Sequence, residues 1–171
     1  MKSEIQMALD AREERWNQKQ ALIGKHRMPV ISVTLRMPRS VRMTEEACAF
    51  FESIQADFIS HMNANRCFPL RVLSGKNADG PYCMYICDDA SKAKRLSMAF
   101  EDTRFGSLID ADVTDAAFYE LSRTDFGKES RTCIVCGKED ARVCIRLQSH
   151  LAEDTNSACL ELIHQYIKGR K

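Results

Sequence analysis

The sequence predicts an α+β (or mixed α/β) fold, with one domain over residues 1–171 in which a mixed sheet is packed by helices. A Cys-rich C-terminal subregion, about 123–171, ends in a further helix. Three observations lead there. Helical and strand-like patterns follow one another irregularly, without the strict alternation of a doubly wound sheet. Ala47, Phe50, Phe51, Ile54, Phe58 and Met62 form one long helical stripe, enough for a core helix. The one Cys-x-x-Cys lies in a polar last third, which changes character from the rest of the chain.

Each element has its own local cause. Ser3-Glu4-Ile5-Gln6 has capping-box spacing, and the polar, proline-free stretch after it predicts a helix to about Ile23, with Gly24 as the stop. From Val30 to Arg36, Ile31, Val33 and Leu35 share one face and Ser32, Thr34 and Arg36 the other, which predicts a half-buried strand. Pro38 ends that strand, and Arg39–Met43 reads as a basic loop. Thr44 can cap the core helix, Glu45 and Glu46 suit its first turn, and the stripe runs to about Asn63. Leu70–Leu73 and Tyr82–Cys87 read as strands of a loose hairpin around the turn-rich Ser74–Pro81. Ser91–Glu101 reads as a helix and Leu108–Thr114 as a strand. Cys159, Leu162, Ile163, Tyr166 and Ile167 share one face of a final helix. Trp16 and the phenylalanine stripe read as core, and His26 and His61 as surface or capping residues.

Composition excludes several classes. The net charge of +1 gives no global electrostatic case for nucleic-acid or membrane binding. No stretch approaches the roughly 18 consecutive apolar residues of a membrane span. The charged segment Met1–Arg15 has no apolar signal core, so a cytoplasmic protein with reduced thiols is expected. Leu70 and Asn77 break any P-loop around Ser74-Gly75-Lys76, and no Gly-x-Gly-x-x-Gly, Gly-x-Ser-x-Gly or His-Glu-x-x-His occurs.

Two constellations could carry chemistry. In Gly106-Ser107-Leu108-Ile109-Asp110-Ala111-Asp112-Val113, strand alternation turns Ile109, Ala111 and Val113 to the core. Asp110 and Asp112 then share the opposite face, with Cβ atoms about 6.5–7 Å apart. Two carboxylates so held repel each other unless water or a cation intervenes. Mg²⁺, which takes oxygen ligands and bridges to substrate phosphates, suits the pair. Gly106 would allow a phosphate to approach closely. A plain solvated strand face presents the same dipeptide pattern. The second constellation is Cys133-x2-Cys136-x7-Cys144-x5-His150, in which three thiolates and an imidazole could complete a tetrahedral Zn²⁺ site. Reduced cysteines packing a small subdomain are the alternative. A redox role is disfavoured, because no strand-to-helix junction of a thioredoxin-like unit surrounds the pair.

These residues carry a family resemblance. The Gly106–Val113 segment resembles the Gly-Arg-Leu-x-Asp-x-Asp-Val motif of the apo-citrate lyase phosphoribosyl-dephospho-CoA transferases, or holo-citrate lyase synthases. Asp10–Arg15 resembles that family's N-terminal Arg-Glu-x-Arg helix, and Val30–Arg42 its strand followed by Pro-Gly-Pro-x-Lys. Lys94 falls where the family has a lysine. Ser122-Arg123, Arg131-x-Cys133-x2-Cys136 and Cys144-x-Arg146-x3-His150 resemble its C-terminal segment. The resemblance implies transfer from triphosphoribosyl-dephospho-CoA to a serine of the citrate lyase acyl carrier protein, with loss of pyrophosphate. It implies Mg²⁺ on the catalytic Asp110 and Asp112, and substrate binding by Arg42, Lys94, Gly106, Arg123 and Arg146. It also suggests, by fold-level analogy, a nucleotidyltransferase-like site. The chain departs from the pattern where Ser107 replaces the motif arginine, Arg39 and Ser40 replace Gly-Pro, and Arg42 replaces lysine. Arg104 and Arg42 are the candidates to take over the lost charge.

Two other readings stand beside this one: a nucleotidyltransferase with another donor or acceptor, such as a malonate decarboxylase carrier-protein synthase, and a zinc-stabilised binding module without catalysis. The sequence further predicts that Cys133, Cys136, Cys144 and His150 lie close together. It predicts a carrier protein docked beside Arg36–Arg42, and a solvent-reachable, positively lined cleft that receives Asp110 and Asp112.

Overall fold

In a computed structural model that describes residues 2–170, the chain folds around one five-stranded sheet. Helix α1 runs Glu4–His26, strand β1 Val30–Leu35, a single turn α2 Arg39–Arg42 and helix α3 Glu45–Ala64. The hairpin β2 (Leu70–Asn77) and β3 (Gly80–Ile86) follows, then α4 (Ala90–Glu101), β4 (Ile109–Thr114) and the two-residue β5 (Glu120–Leu121). The C-terminal part holds the short α5 (Ala141–Arg146) and the final α6 (Ala152–Lys168). The α+β class predicted from the order of elements holds. The strand order is β2-β3-β1-β4-β5, and the sheet that the sequence left as mixed is antiparallel at every pairing.

The sheet's two faces are covered differently. Ile31, Val33 and Leu35 of β1, Ile109, Ala111 and Val113 of β4, and Cys83 and Tyr85 of β3 point to one side, where α3, α4 and α6 close the main core. Phe50, Phe58, Ile54 and Met62 of α3 are buried there, as the stripe predicts, together with Cys159, Ile163 and Tyr166 of α6. On the other side, Ile23 of α1 packs over Val30, Tyr82, Met84 and Ile86, a much smaller cluster. Towards β4 that second face loses its apolar cover and becomes polar.

Several local readings need correction. Gly24 does not stop α1; the helix ends at His26, where Arg27 takes a left-handed conformation and donates its N–H to the Ile23 carbonyl at 2.8 Å. Arg39–Met43 is not an open loop, because Pro38 starts the helical turn α2. Ser74–Asn77 continues β2, so the hairpin turn shrinks to Ala78-Asp79 before Gly80 at φ +111°. The polar composition there marks an edge strand rather than a turn. Trp16 is 56% exposed, not core, because the packed face of α1 carries Ala8, Ala11, Lys19 and Ile23 instead. No described helix is long and apolar enough to cross a membrane.

Candidate active site

The polar half of the second sheet face floors a cleft of 1140 Å³. Across β1 and β4, Ser32 faces Asp112 and Thr34 faces Asp110, and all four side chains line the floor. Their neighbours Ile109, Ala111 and Val113 are fully buried on the far side. Asp110 keeps a 48% exposed side chain, with an Arg131 guanidinium nitrogen 3.6 Å away. Asp112 lies deeper and carries no hydrogen bond or ion pair among the described residues. Burial, then the charges of Asp110 and Glu120, push the Asp112 carboxyl up to about 7, against the pull of Lys94 and Lys19.

A basic wall stands over this floor. Arg12, Arg15 and Lys19 come from α1 at helical spacing, and Arg39 and Arg42 from α2. Three of these guanidiniums converge on Asp79 in the β2–β3 turn, whose side chain is only 2% exposed. Arg15 reaches it at 2.6 Å, Arg42 at 2.8 Å and Arg12 at 3.0 Å. Burial would raise the Asp79 pKa, but the three arginines hold it below its ordinary value. A Cβ on Gly80 would stand 2.7 Å from the Arg42 side chain, so glycine is what admits the third arginine. One carboxylate among three cations leaves a surplus of positive charge with free donors, a ready place for an anion.

Below the floor, Glu101 at the end of α4 supports β4. Because β5 pairs only with Val113 and Thr114, the Ala111 N–H would be unpaired; the buried Glu101 carboxylate accepts it at 2.8 Å. Arg131 donates to the carbonyls of Ile109 at 2.7 Å and Ser107 at 2.8 Å, joining the C-terminal segment to the start of β4. Arg36 does the same from β1's end, reaching the carbonyls of Ser107 at 3.3 Å and Thr132 at 3.1 Å.

The C-terminal segment supplies a further wall, including Cys133, Ile134, Val135, Cys144, Ile145 and His150. The predicted gathering is present: ligand atoms of Cys133, Cys136, Cys144 and His150 all lie within 4.8 Å of one another. Hydrogen bonds from the backbone N–H groups of Glu139 and Lys138 pull the Cys136 thiol down to about 6.

Other sequence-predicted residues lie elsewhere. Lys94 is buried on α4 and acts on Asp112 through space, without lining the cleft. Arg123 pairs with Glu101 at 3.3 Å and with Asp102, so its charge is already engaged. Arg146 is exposed on α5, outside the cleft. Gly106 is a packing position: a Cβ there would stand 1.9 Å from the Phe100 carbonyl oxygen, before any phosphate is reached. Arg104, a candidate replacement for the motif arginine, points away to Gln165. Sequence reasoning missed Asp79, Lys19 and Glu101. It met Arg12 and Arg15 only as part of a resemblance, although their three-residue spacing already marked one helix face.

Comparison with known proteins agrees in outline. A family model described as apo-citrate lyase phosphoribosyl-dephospho-CoA transferase matches residues 3–166. A probable apo-citrate lyase phosphoribosyl-dephospho-CoA transferase of Streptococcus pyogenes serotype M18 is 29% identical over 164 residues, covering 92% of this chain and 84% of that protein. A protein of the same description from Vibrio cholerae serotype O1 (strain M66-2) is 25% identical, covering 91% of this chain and 88% of its own length. Protein CitXG of Leuconostoc mesenteroides is 27% identical over 97% of this chain, which spans only 36% of that relative.

Proposed function

The chain belongs to the apo-citrate lyase phosphoribosyl-dephospho-CoA transferase family, and from that premise we propose that it transfers a phosphoribosyl-dephospho-CoA group to a serine of the citrate lyase acyl carrier protein. The observation that carries the reading is the pairing of an acidic floor, Asp110 and Asp112, with the arginine wall around Asp79 inside one cleft. A triphosphate donor is an extended anion, and phosphoryl transfer needs positioning and charge neutralisation more than a protein nucleophile.

In this reading Arg12, Arg15 and Arg42 hold the β- and γ-phosphates with donors that Asp79 leaves unused. Asp79 keeps the three guanidiniums from repelling one another and fixes their directions before the donor arrives. Asp110 and Asp112 fit a divalent cation with hard oxygen ligands. Asp112 carries no ion pair among the described residues, and burial beside the Asp110 carboxylate pushes its pKa up to about 7, so a cation bound there would favour the charged form of both groups. Bound Mg²⁺ supplies charge neutralisation on the phosphoryl oxygens. The carrier serine oxygen attacks the phosphorus attached to the ribose, and the serine O–P bond forms. The anhydride bond to the next phosphorus breaks, pyrophosphate leaves along the arginine wall, and the serine proton passes to water or a cleft carboxylate. The apolar stretch Ile134, Val135 and Ile145 gives the dephospho-CoA portion a surface to lie against.

The carrier would approach from the α2 side. Of the three arginines in the Arg36–Arg42 stretch, Arg36 is committed to carbonyls and Arg42 to Asp79. That leaves Arg39, paired with the exposed Glu4 at 2.8 Å, as the rim charge for an acidic partner.

The test is direct. Apo citrate lyase carrier protein is incubated with the chain, triphosphoribosyl-dephospho-CoA and Mg²⁺, and its mass is measured. The expected result is a mass gain of one phosphoribosyl-dephospho-CoA group with equimolar pyrophosphate. Modification of an apo malonate decarboxylase carrier instead would move the acceptor, and no gain on either carrier would overturn the reading.

A further inference from the structure

We propose that Cys133, Cys136, Cys144 and His150 bind one structural zinc ion, which fixes the C-terminal wall of the cleft. With Zn–S bonds of about 2.3 Å, a tetrahedral site sets its sulfurs about 3.8 Å apart. Cys136 Sγ and Cys144 Sγ stand 3.9 Å apart, and all four ligand atoms fall within 4.8 Å of one another. A disulfide needs sulfurs at about 2.05 Å and would leave a third thiol and the imidazole unused. His150 Nε2 is buried without a hydrogen-bond partner among the described residues, a cost that a bound metal would offset.

Packing supplies an independent argument. From Leu121 to His150 the only buried residues are Cys133 and Cys144. A thirty-residue segment whose sole buried side chains are two thiols has no apolar core of its own, and small units of that kind rely on a cross-link or a metal. The backbone is arranged to present the ligands. Thr132 and Asp140 form an isolated bridge, Gly137 turns at φ +67°, and its N–H bonds the Cys133 carbonyl at 2.8 Å. Asp140 caps α5 by accepting the Arg142 N–H, and one turn of that helix brings Cys144 round to the pair. Three thiolates and an imidazole close the coordination sphere with no position left for water, so the ion is structural rather than catalytic.

This assignment does not depend on the transfer reading. The full chain, isolated under reducing conditions, is expected to carry one zinc per chain by elemental analysis. After chelation, added Co²⁺ should give the intense visible bands and thiolate charge transfer of a tetrahedral site. Cys136→Ser and His150→Ala should weaken cobalt binding by more than the 10–100-fold that changes around a ligand set cost, while His150→Cys keeps a tetrahedral spectrum. Asp110→Asn should keep its zinc. A zinc-free chain with an octahedral cobalt spectrum would overturn the proposal. So would a Cys136–Cys144 disulfide in the freshly isolated protein, unchanged affinity in His150→Ala, or zinc lost from Asp110→Asn.

Discussion

Asp110 and Asp112 owe their neighbourhood to the pleat of a single strand, whereas Cys133, Cys136, Cys144 and His150 are gathered from a turn, a short helix and the loop behind it. Asp110 and Asp112 line the same cleft as Cys133, Cys144 and His150, yet the surroundings of the two groups are opposite. The carboxylates stand on a rigid floor anchored by the main core, with an open side towards solvent and a wall of cations above. The thiols and imidazole face one another in a segment that has no apolar core of its own. The hard, open pair suits an ion that shares its coordination with a substrate. The soft, closed group suits an ion that shares with nothing. If that contrast is right, damage to the first should abolish chemistry without touching the fold, and damage to the arginine–Asp79 cluster should do some of both.

The largest effect expected is on the floor. Asp110→Asn and Asp112→Asn keep shape and hydrogen-bonding capacity, so melting temperature should stay within a few degrees of the parent. Pyrophosphate release with saturating donor and apo carrier should fall by about 10²–10³, the loss of several kcal/mol of transition-state stabilisation. Two variants with near-parental turnover would break the comparison outright, leaving both aspartates as a solvated strand face.

Asp79→Asn should affect stability first. Removing the charge leaves three guanidiniums without their shared partner. Breaking a buried pair costs about 3–5 kcal/mol, and partial exposure of the arginines lowers the expectation to about 2–4 kcal/mol by denaturant unfolding. The pH dependence has a definite sign. The folded pKa of Asp79 lies below its ordinary 3.8, so its contribution is complete above about pH 5 and is lost progressively as pH falls through 3.8 to the folded value. The variant should lack that acid-side loss. An Asp79→Asn protein as stable as the parent across pH 3–6 would show that the cluster is not holding α1 and α2 to the hairpin.

How much of this was legible depended on how local each cause was. The alternation around Asp110 needs only five consecutive residues, and the α3 stripe only the helical period, so both stood in the sequence. Cys133 to His150 could be grouped by spacing because the chain between them is short. Asp79 could not be found that way. Its partners Arg12, Arg15 and Arg42 lie far off in sequence, and Asn77-Ala78-Asp79-Gly80 has the composition of any surface turn. Glu101 was hidden for a similar reason: its task exists only because β5 is too short to pair with Ala111. Trp16 misled in the opposite direction, since residue type alone placed it inside a helix whose buried face is mostly alanine and the stem of Lys19.

A smaller effect separates donor binding from chemistry. Arg15→Gln keeps a donor but loses the charge and the bidentate fork. The KM for triphosphoribosyl-dephospho-CoA should rise about 10–100-fold, matching the roughly 1.5–3 kcal/mol of a charge-assisted hydrogen bond. The kcat should change far less than in the aspartate variants. A KM left at the parental value would move the phosphates away from the α1 wall.

The smallest effect concerns the rim, where the contrast between committed and free charges is sharpest. Arg39 lines the cleft with a 33% exposed side chain, donates to the Ala78 carbonyl at 3.2 Å and, among the described residues, holds only the exposed Glu4 as a counter-charge. Arg39→Glu should therefore leave the fold nearly unchanged, because an exposed ion pair contributes about 0–1 kcal/mol. Its influence should be long-range. An acidic carrier protein approaching the cleft mouth would meet repulsion in place of attraction, and rim charges chiefly set the rate of encounter. Stopped-flow association with apo carrier should slow several-fold at about 10 mM salt, where charges are felt over roughly 30 Å, and converge on the parental rate near 1 M, where they are felt over about 3 Å. Donor KM, measured at saturating carrier, should stay close to the parent. Equal association rates at low salt would detach the carrier from the α2 side of the cleft and shift its approach to the C-terminal wall, where Lys138, Arg142 and Arg146 are exposed cations. The same measurement on Arg146→Glu would then carry the salt dependence.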